Sequence, residues 1–287
     1  MKLLITGAAG MLGTDVQAAS AGDHDVVALS RAELDISDRD AVYAVVAAAR
    51  PDAVINCAAY TNVDGAESDP DAAAAANATG PGFMAEAAAN AGAWIVHVST
   101  DYVFDGTKTS PYVESDPTGP RSVYGSTKLL GERAVAIAAP DRHTVVRSSW
   151  LFGAGGPCFP ATMLRLAAER DTLAVVDDQR GCPTFTGHLA PALVRLATEQ
   201  DQPGVLHVAA SGECTWYEFA VEIMRATNTN VEVQPITTDQ FPRPARRPAY
   251  SVLRSERPDA PSLPDWREGL SAYLAALPGP LNARVAS

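Results

Sequence analysis

The 287-residue sequence has little lysine, few cysteines and histidines, and no long hydrophobic run. Lysine supplies only three of the 22 basic residues, and 34 acidic residues give a formal net charge of −12. This charge argues against nucleic acids and anionic membrane surfaces as partners, although a local group of arginines still suits a small anionic ligand. Either a GC-rich genome or adaptation to salt explains the bias towards Arg, Asp and Ala.

The sparse cysteines also exclude some classes of protein. They are Cys57, Cys158, Cys182 and Cys214. They form no C-x-x-C pair and no metal-ligand spacing with the five histidines, so we predict no metal site. The first apolar run stops at Gly7, which is too short for a signal peptide, and no later run reaches transmembrane length. The sequence favours a reduced, cytoplasmic protein that is a monomer or a homodimer.

Short apolar runs alternate with alanine-rich helical segments over roughly the first 150 residues. Continuous apolar strands separated by helices are typical of a parallel sheet covered on both faces, and right-handed crossovers then give a doubly wound (Rossmann) α/β domain. The predicted strands are Lys2–Thr6, Asp25–Leu29, Ala53–Cys57, Trp94–Val98 and Thr144–Arg147. The predicted helices begin at Gly13, Arg39, Asp71 and Tyr124; the third, Asp71–Gly92, is expected to split at Gly80-Pro81-Gly82 because proline breaks an interior turn.

This alternation changes after Trp150. A Pro-rich stretch with several arginines, from Pro235 to Pro264, suits a smaller C-terminal substrate-binding lobe laid over the carboxyl edge of the sheet. We predict a dinucleotide-binding domain over residues 1–152 and mainly a substrate-binding lobe over residues 153–287, with residues 187–210 returning to the sheet.

A glycine-rich loop follows the first predicted strand and leads into a helix. Such glycines permit a tight turn, close approach of the backbone to a pyrophosphate and close helix–strand packing, while the helix N-terminus offers amide donors to phosphates. A purely structural turn is the alternative, but the position at the first strand–helix junction favours nucleotide binding. The predicted cofactor contacts in this loop are Gly7, Ala9, Gly10, Met11, Leu12 and Gly13.

The end of the second strand indicates which nicotinamide is bound. An acidic residue there favours NAD, whereas an arginine accommodates the 2′-phosphate of NADP. Arg31 occupies this place, so we predict NADPH, with NADH possible; a solvated loop charge is the alternative. Asp35 and Ile36 either contact the adenine or, for Asp35, cap the next helix. The small residues around Ala58-Ala59-Tyr60 leave room for the cofactor after the third strand.

Tyr124 and Lys128 lie four residues apart in a predicted helix and therefore on one face, one turn apart. A phenol ionises near pH 10, and an adjacent cation is expected to lower its pKa and make it a usable acid or base. Thr100 follows the fourth strand, where its hydroxyl can donate to a carbonyl oxygen. We predict a catalytic trio: Thr100 polarises a carbonyl, Tyr124 delivers a proton, and Lys128 tunes Tyr124. Lys128 is also predicted to hold the nicotinamide ribose, and both helix residues are predicted cofactor contacts.

These motifs resemble those of the extended short-chain dehydrogenases/reductases, and in particular the dTDP-4-dehydrorhamnose reductase family. The resemblance covers nearly the whole chain. It rests on Gly7–Gly13, Leu34-Asp35-Ile36, Ala58–Thr61, Ser99–Gly106, Tyr124–Lys128, Arg147–Trp150, Asp178–Thr184 and Arg246-Arg247-Pro248. The resemblance implies reduction, by NADPH or NADH, of the C4 ketone of a dTDP-6-deoxy-hexulose to dTDP-L-rhamnose.

The resemblance also implies which residues meet the dTDP-sugar. Thr100 and Asp101 would contact the sugar, and Trp150 would lie beside it unless it is a core aromatic. Further substrate contacts are assigned to Arg180 and Arg247. For Arg247 and its neighbour Arg246 the alternatives are a diphosphate partner and a solvated charge. The sequence departs from the family pattern at Arg180 and Cys182, and Tyr250 is another variable contact, which puts the exact sugar or base in doubt.

Three other functions compete with the reductase. A 4,6-dehydratase needs a carboxylic acid pair after the threonine, and Tyr102 follows Asp101 here, which disfavours dehydration. The fold also resembles the regulatory subunit of methionine adenosyltransferase, which binds NADP without needing turnover. A nucleotide-sugar epimerase would share the Tyr–Lys pair but would cause no net oxidation of added NADPH.

Overall fold

The computed structural model of the protein describes residues 1–277. Its central sheet consists of six parallel strands. The strands are β1 (Lys2–Thr6), β2 (Asp25–Leu29), β3 (Ala53–Asn56), β4 (Trp94–Thr100), β5 (His143–Ser148), β6 (Leu151–Phe152), β7 (Thr172–Val176), β8 (Arg180–Gly181), β9 (Thr184–Phe185), β10 (Gly204–His207), β11 (Cys214–Thr215) and β12 (Glu232–Ile236). The helices are α1 (Met11–Ser20), α2 (Arg39–Ala49), α3 (Val63–Ser68), α4 (Pro70–Ala74), α5 (Gly80–Asn90), α6 (Val123–Ala138), α7 (Phe159–Ala167), α8 (Thr186–Glu199), α9 (Trp216–Thr227) and α10 (Trp266–Ala276).

The strand order of the sheet is β10-β5-β4-β3-β1-β2, and all of these pairs are parallel. The predicted doubly wound α/β fold is therefore confirmed. From β1 the chain moves to β2 on one side and then returns to β3 on the other. In open parallel sheets, ligands bind outside the carboxyl ends of the strands at such a switch point.

Helices cover both faces of the sheet, because successive side chains of each buried strand point to opposite faces. Leu3 and Ile5 of β1 pack in one cluster with Leu193 of α8. Leu4, between them in sequence, packs in another cluster with Val42 of α2. This double coverage explains why the strands appear in the sequence as continuous apolar runs.

The helix predicted over Asp71–Gly92 is not broken at Gly80-Pro81-Gly82. Helical backbone continues from α4 through a π turn at Ala75–Thr79 into α5. Pro81 is the second residue of α5, directly after this π turn, and it lacks the backbone N–H that would continue the helical hydrogen bonds. The interruption is thus one wide turn just before the proline rather than a split.

The second half of the chain contributes both to the sheet and to a separate cluster. β10 pairs with β5, with Leu206 opposite Val146, and α8 packs against α1. A third apolar cluster lies among α7, α9 and α10 and includes Phe219 and Trp266. The division at residue 152 stays a prediction, and residues 278–287 of the predicted lobe lie outside the described residues. Within residues 1–277, no helix has both the length and the apolarity to cross a membrane.

Candidate active site

A cavity of about 790 Å³ lies at the carboxyl edge of the sheet, bordered by the segments that follow β1, β3, β4 and β5. Its size is within the range of small-molecule and cofactor sites. Every residue predicted to contact the cofactor lines it: Gly7, Ala9, Gly10, Met11, Leu12, Gly13, Arg31, Asp35, Ile36, Ala58, Ala59, Tyr60, Tyr124 and Lys128. Thr100, Asp101 and Trp150, predicted to meet the sugar, line the same cavity.

The glycine loop has the tight geometry that a pyrophosphate requires. Gly7 has φ +69°, and a Cβ there would lie 2.7 Å from the backbone N of Ala58. A Cβ at Gly13 would lie 2.2 Å from the carbonyl oxygen of Gly7. Gly10 precedes α1 without any side-chain cap, so amides of the first helical turn remain available to an anion. This cradle fits a dinucleotide.

Arg31 and Asp35 line the same cavity as this loop. Their side chains form an ion pair at 3.7 Å, and the Arg31 side chain is 84% exposed, which leaves it able to contact a 2′-phosphate. The backbone N–H and hydroxyl of Ser37 donate to Asp35 and lower its pKa. Asp38, rather than Asp35, caps α2 by accepting from Ala41 N. The alternative that Asp35 caps the next helix is therefore wrong.

The start of α6 determines where Tyr124 lies. The Ser122 side chain accepts a hydrogen bond from Gly125 N at 3.1 Å and so begins the helix. A Cβ at Gly125 would lie 2.2 Å from the carbonyl oxygen of Tyr102, so glycine is needed for α6 to start against the turn that follows β4. Tyr124, in this first turn, lines the same cavity as Thr100.

Lys128 lies one turn further along α6, and its Nζ donates to the carbonyl oxygen of Val98 at 2.6 Å. Burial lowers the pKa of Lys128 to about 8, while Glu132 and Cys57 act in the opposite direction. Burial raises the pKa of Tyr124 to about 12, and the nearby Thr100 hydroxyl limits the rise. The pKa shift of Tyr124 is the reverse of the one predicted from Lys128, because loss of hydration is the largest influence on the phenol and the Asp101 charge acts in the same direction.

Asp101 is 1% exposed at the end of β4, beside the trio. Burial raises its pKa to about 6, and the nearby Ser251 and Thr100 hydroxyls limit that rise. The Thr100 hydroxyl donates to Asp101 Oδ1 at 3.0 Å. Asp101 Oδ2 and the Ser148 hydroxyl are buried and have no well-aligned hydrogen-bond partner among residues 1–277.

Two stacked tryptophans line another part of the cavity. The rings of Trp150 and Trp216 are 3.5 Å apart between centroids and inclined by 3°. Trp150 has φ +47°, a left-handed conformation that is unfavourable for a bulky residue. Backbone strain of this kind is concentrated at functional sites.

The structure does not bring Arg180 or Arg247 to the cavity lining. Arg180 pairs with Glu218 at 3.2 Å and with Glu213 at 3.7 Å. Arg247 pairs with Asp64 at 2.7 Å and lies one layer behind the cavity, close to Tyr102. Both guanidinium groups are held by carboxylates, and their contacts with a substrate stay predictions.

The two other positions that depart from the family pattern are also engaged elsewhere. Cys182 is fully buried, and its thiol donates to the carbonyl oxygen of Ala210 at 2.8 Å. The Tyr250 hydroxyl donates to Glu213 at 2.8 Å.

The sequence did not identify two functional groups: Trp216, which lines the cavity, and Glu132, which is bonded to Ser99 and Arg147. The sequence indicated only that a helix begins at Trp216, because its stacking partner Trp150 is far away in sequence. The position of Glu132 could have been recognised from the sequence, because it lies one helical turn after Lys128 on the same face of the helix.

Comparisons with known proteins agree with this geometry. The profile of the family described as RmlD substrate binding domain matches residues 1–278. A dTDP-4-dehydrorhamnose reductase of Mycolicibacterium smegmatis is 46% identical over 97% of this chain and 86% of its own length. A probable dTDP-4,6-dihydroxy-2-methyloxan-3-one 4-ketoreductase of Streptomyces antibioticus is 44% identical over 99% and 97%. The crystal structure of dTDP-4-dehydrorhamnose reductase from Bacillus anthracis in complex with NADP has a TM-score of 0.93 and 36% identity, covering 96% of this chain and 99% of that one.

Proposed function

The chain belongs to the RmlD substrate binding domain family, and from this premise we propose that it is an NADPH-dependent reductase that converts dTDP-4-dehydro-L-rhamnose to dTDP-L-rhamnose. One observation carries the proposal: Thr100, Tyr124 and Lys128 line the same cavity as the glycine loop. The named activity of relatives above 40% identity supports the same reaction.

Reduction of the ketone requires a hydride on C4 and a proton on the oxygen. When bound, NADPH supplies the hydride. Tyr124 keeps its proton at neutral pH because its pKa is raised, so it can donate that proton as the carbonyl π bond breaks. The single hydroxyl proton of Thr100, which points to Asp101 Oδ1 here, turns to the same oxygen in the proposed reaction and stabilises the negative charge that develops on it.

Lys128 and Asp101 complete the proposed roles. With a pKa near 8, most Lys128 side chains are charged at pH 7, and a buried ammonium beside Tyr124 stabilises the phenolate that remains after proton transfer. Asp101 keeps one carboxylate oxygen without a well-aligned partner, which suits acceptance of a hydrogen bond from a sugar hydroxyl.

The test measures oxidation of NADPH in the presence of dTDP-4-dehydro-L-rhamnose. Wild type should consume both, and Tyr124→Phe should reduce kcat by about 10²- to 10⁴-fold because the phenyl ring has no proton to donate. NADPH affinity, measured by fluorescence, should stay close to that of wild type in this variant. Tyr43→Phe on α2 is the matched control and should leave turnover unchanged.

The possible results separate the reductase from the competing functions. Normal turnover in Tyr124→Phe would exclude the proposed mechanism. NADPH binding by wild type without any reduction would favour a regulatory subunit, and sugar interconversion without net NADPH oxidation would favour an epimerase. A parallel screen of other 4-keto-6-deoxy nucleotide sugars, with NADH and NADPH, tests the exact substrate and cofactor.

Two finer proposals accompany this function. We place the enzyme in the cytoplasm, which its four free cysteines support because disulfides are rare in reducing compartments. We propose a monomer or a homodimer, which analytical ultracentrifugation would distinguish.

A further inference from the structure

A buried ionic cluster lies directly behind the proposed catalytic trio. Glu132 of α6 accepts hydrogen bonds from Ser99 Oγ at 2.5 Å and from Arg147 Nε at 2.9 Å through one oxygen. Its other oxygen accepts from Arg147 Nη2 at 2.7 Å. Glu132 and Arg147 are both 4% exposed, so this carboxylate is fully engaged away from solvent.

The cluster joins β4 and α6, the two elements that carry the trio, to β5. Ser99 and Arg147 lie opposite each other on β4 and β5, and Ser99 is followed immediately by Thr100. Glu132 lies one turn after Lys128 on α6. Its carboxylate therefore ties the helix that carries Tyr124 and Lys128 to the strand that ends in Thr100.

Building on the proposed function, we propose that Glu132 is a positioning residue that keeps the buried Lys128 ammonium charged and in place during the reduction. A buried ion pair gains little net stability, because both partners lose their hydration. The Glu132–Arg147 pair therefore matters less for stability than for the effect of Glu132 on the pKa of Lys128.

Among the titratable groups around Lys128, Glu132 is the one whose charge acts on the pKa of Lys128 near pH 7. Glu132 faces it from α6, Cys57 from the end of β3, and His97 from β4. Burial raises the pKa of Cys57 to about 12, and burial together with the Lys128 charge lowers the pKa of His97, so both are neutral near pH 7. The Glu132 carboxylate is paired with Arg147, and its charge raises the pKa of Lys128, which opposes the loss of the Lys128 proton.

The chain offers a direct measurement, because it has only three lysines, Lys2, Lys108 and Lys128. Lysine labelled with carbon-13 at Cε gives one NMR signal per residue, and Lys128→Arg assigns the buried one. In Glu132→Gln the pKa of Lys128 should fall by about one unit or more. The signals of Lys2 and Lys108 should titrate as in wild type.

Activity should follow the same shift. The reduction needs charged Lys128, so the rate falls as pH rises through the Lys128 pKa, and Glu132→Gln should move this fall to lower pH. Leu193→Ala is the control for lost stability, since it truncates a core residue of α8 at a cost of about 2–5 kcal/mol without changing charge. It should leave both the titration and the alkaline limb unchanged.

If Glu132→Gln does not fold, Glu132→Gln/Arg147→Met is compared with Arg147→Met, because these two variants differ only in the Glu132 charge. An unchanged Lys128 titration in a folded variant would overturn the proposal, as would a shifted titration with an unmoved alkaline limb. The same shift in Leu193→Ala would also overturn it. Absence of reduction by wild type would count against the proposed function alone, because the NMR titration does not depend on turnover.

Discussion

The cavity lining has two portions, one after β1 and β3 and one after β4 and β5, and they differ in the kind of residue that forms them. The portion after β1 and β3 presents backbone and small side chains, such as Gly7, Gly10 and Ala58. The portion after β4 and β5 presents large or ionisable groups, such as Asp101 and Trp150. The first portion is fixed by backbone contacts, whereas the second depends on side chains whose partners come from distant parts of the chain.

This difference affects how each portion tolerates change. Where backbone packs on backbone, one added methyl group forces the turn to move, and the ligand site is distorted with it. Where side chains form the lining, each one is held by its own partner. Trp150 stacks on Trp216, and Arg247, behind the lining, pairs with Asp64. Changes there should alter individual contacts rather than the whole site.

The sharpest test of the comparison is Gly13→Ala. The new Cβ would lie 2.2 Å from Gly7 O and 2.9 Å from Ala8 Cα, and both atoms belong to the backbone. The loop must move to relieve this overlap, so NADPH affinity should fall by about 10- to 100-fold, or ~1.4–2.7 kcal/mol. Isothermal titration of the purified variant with NADPH measures the effect.

Gly22→Ala is the control for Gly13→Ala. Gly22 has φ +91° and no atom within 4 Å of its Cβ position, so alanine there costs conformational strain of about 1 kcal/mol without touching the loop. NADPH affinity should be unchanged in this variant. Equal losses of affinity in both variants would mean that the close packing of the loop is not what holds the cofactor.

A smaller effect is expected at the rim of the same portion, from Arg31→Asp. This charge reversal removes a donor for a 2′-phosphate and adds repulsion, which should lower the preference for NADPH over NADH by at least about tenfold. The ratio of kcat/KM for the two cofactors measures it. Arg133→Asp, on the exposed face of α6, makes the same charge change and should leave that ratio unaltered. An unaltered ratio in Arg31→Asp would identify Arg31 as a solvated loop charge.

The same contrast between backbone and side-chain lining explains which parts of the fold and the site could be predicted from the sequence. The sheet and the glycine loop follow from local patterns, because apolar runs and closely spaced glycines constrain the neighbouring backbone directly. The pairing of Arg247 with Asp64 joins residues more than 180 positions apart, and no local pattern indicates it. The pKa of Tyr124 also could not be obtained from its spacing to Lys128, because the degree of burial decides its direction. Glu132 was within reach of the sequence, since its one-turn spacing from Lys128 was visible.

The smallest predicted effect concerns Asp64, the carboxylate that holds Arg247. Hydrogen bonds from Arg247, Arg243 and the Ala245 backbone keep the pKa of Asp64 well below its usual range. A lowered folded-state pKa adds stability that is present above the usual Asp pKa of about 3.9 and is lost as pH falls through the folded value. Asp64→Asn should therefore reduce the free energy of unfolding at pH 7 by about 1–2 kcal/mol, and this deficit should shrink below about pH 4. Urea denaturation at several pH values measures it.

Two further variants, one of them a control, test whether Arg247 stabilises the fold or contacts the substrate. Glu169→Gln removes an exposed pairing with Arg165 and should cost less than about 0.5 kcal/mol at any pH, which controls for loss of a surface charge. Arg247→Gln should lower stability non-additively with Asp64→Asn, since the two side chains share one interaction. If Arg247→Gln instead raises KM for the dTDP-sugar while the coupling with Asp64 is absent, Arg247 belongs with the substrate contacts, as the sequence predicts. A deficit of Asp64→Asn that does not vary with pH would show that the ionised carboxylate is not what stabilises this contact between α3 and the Pro-rich stretch.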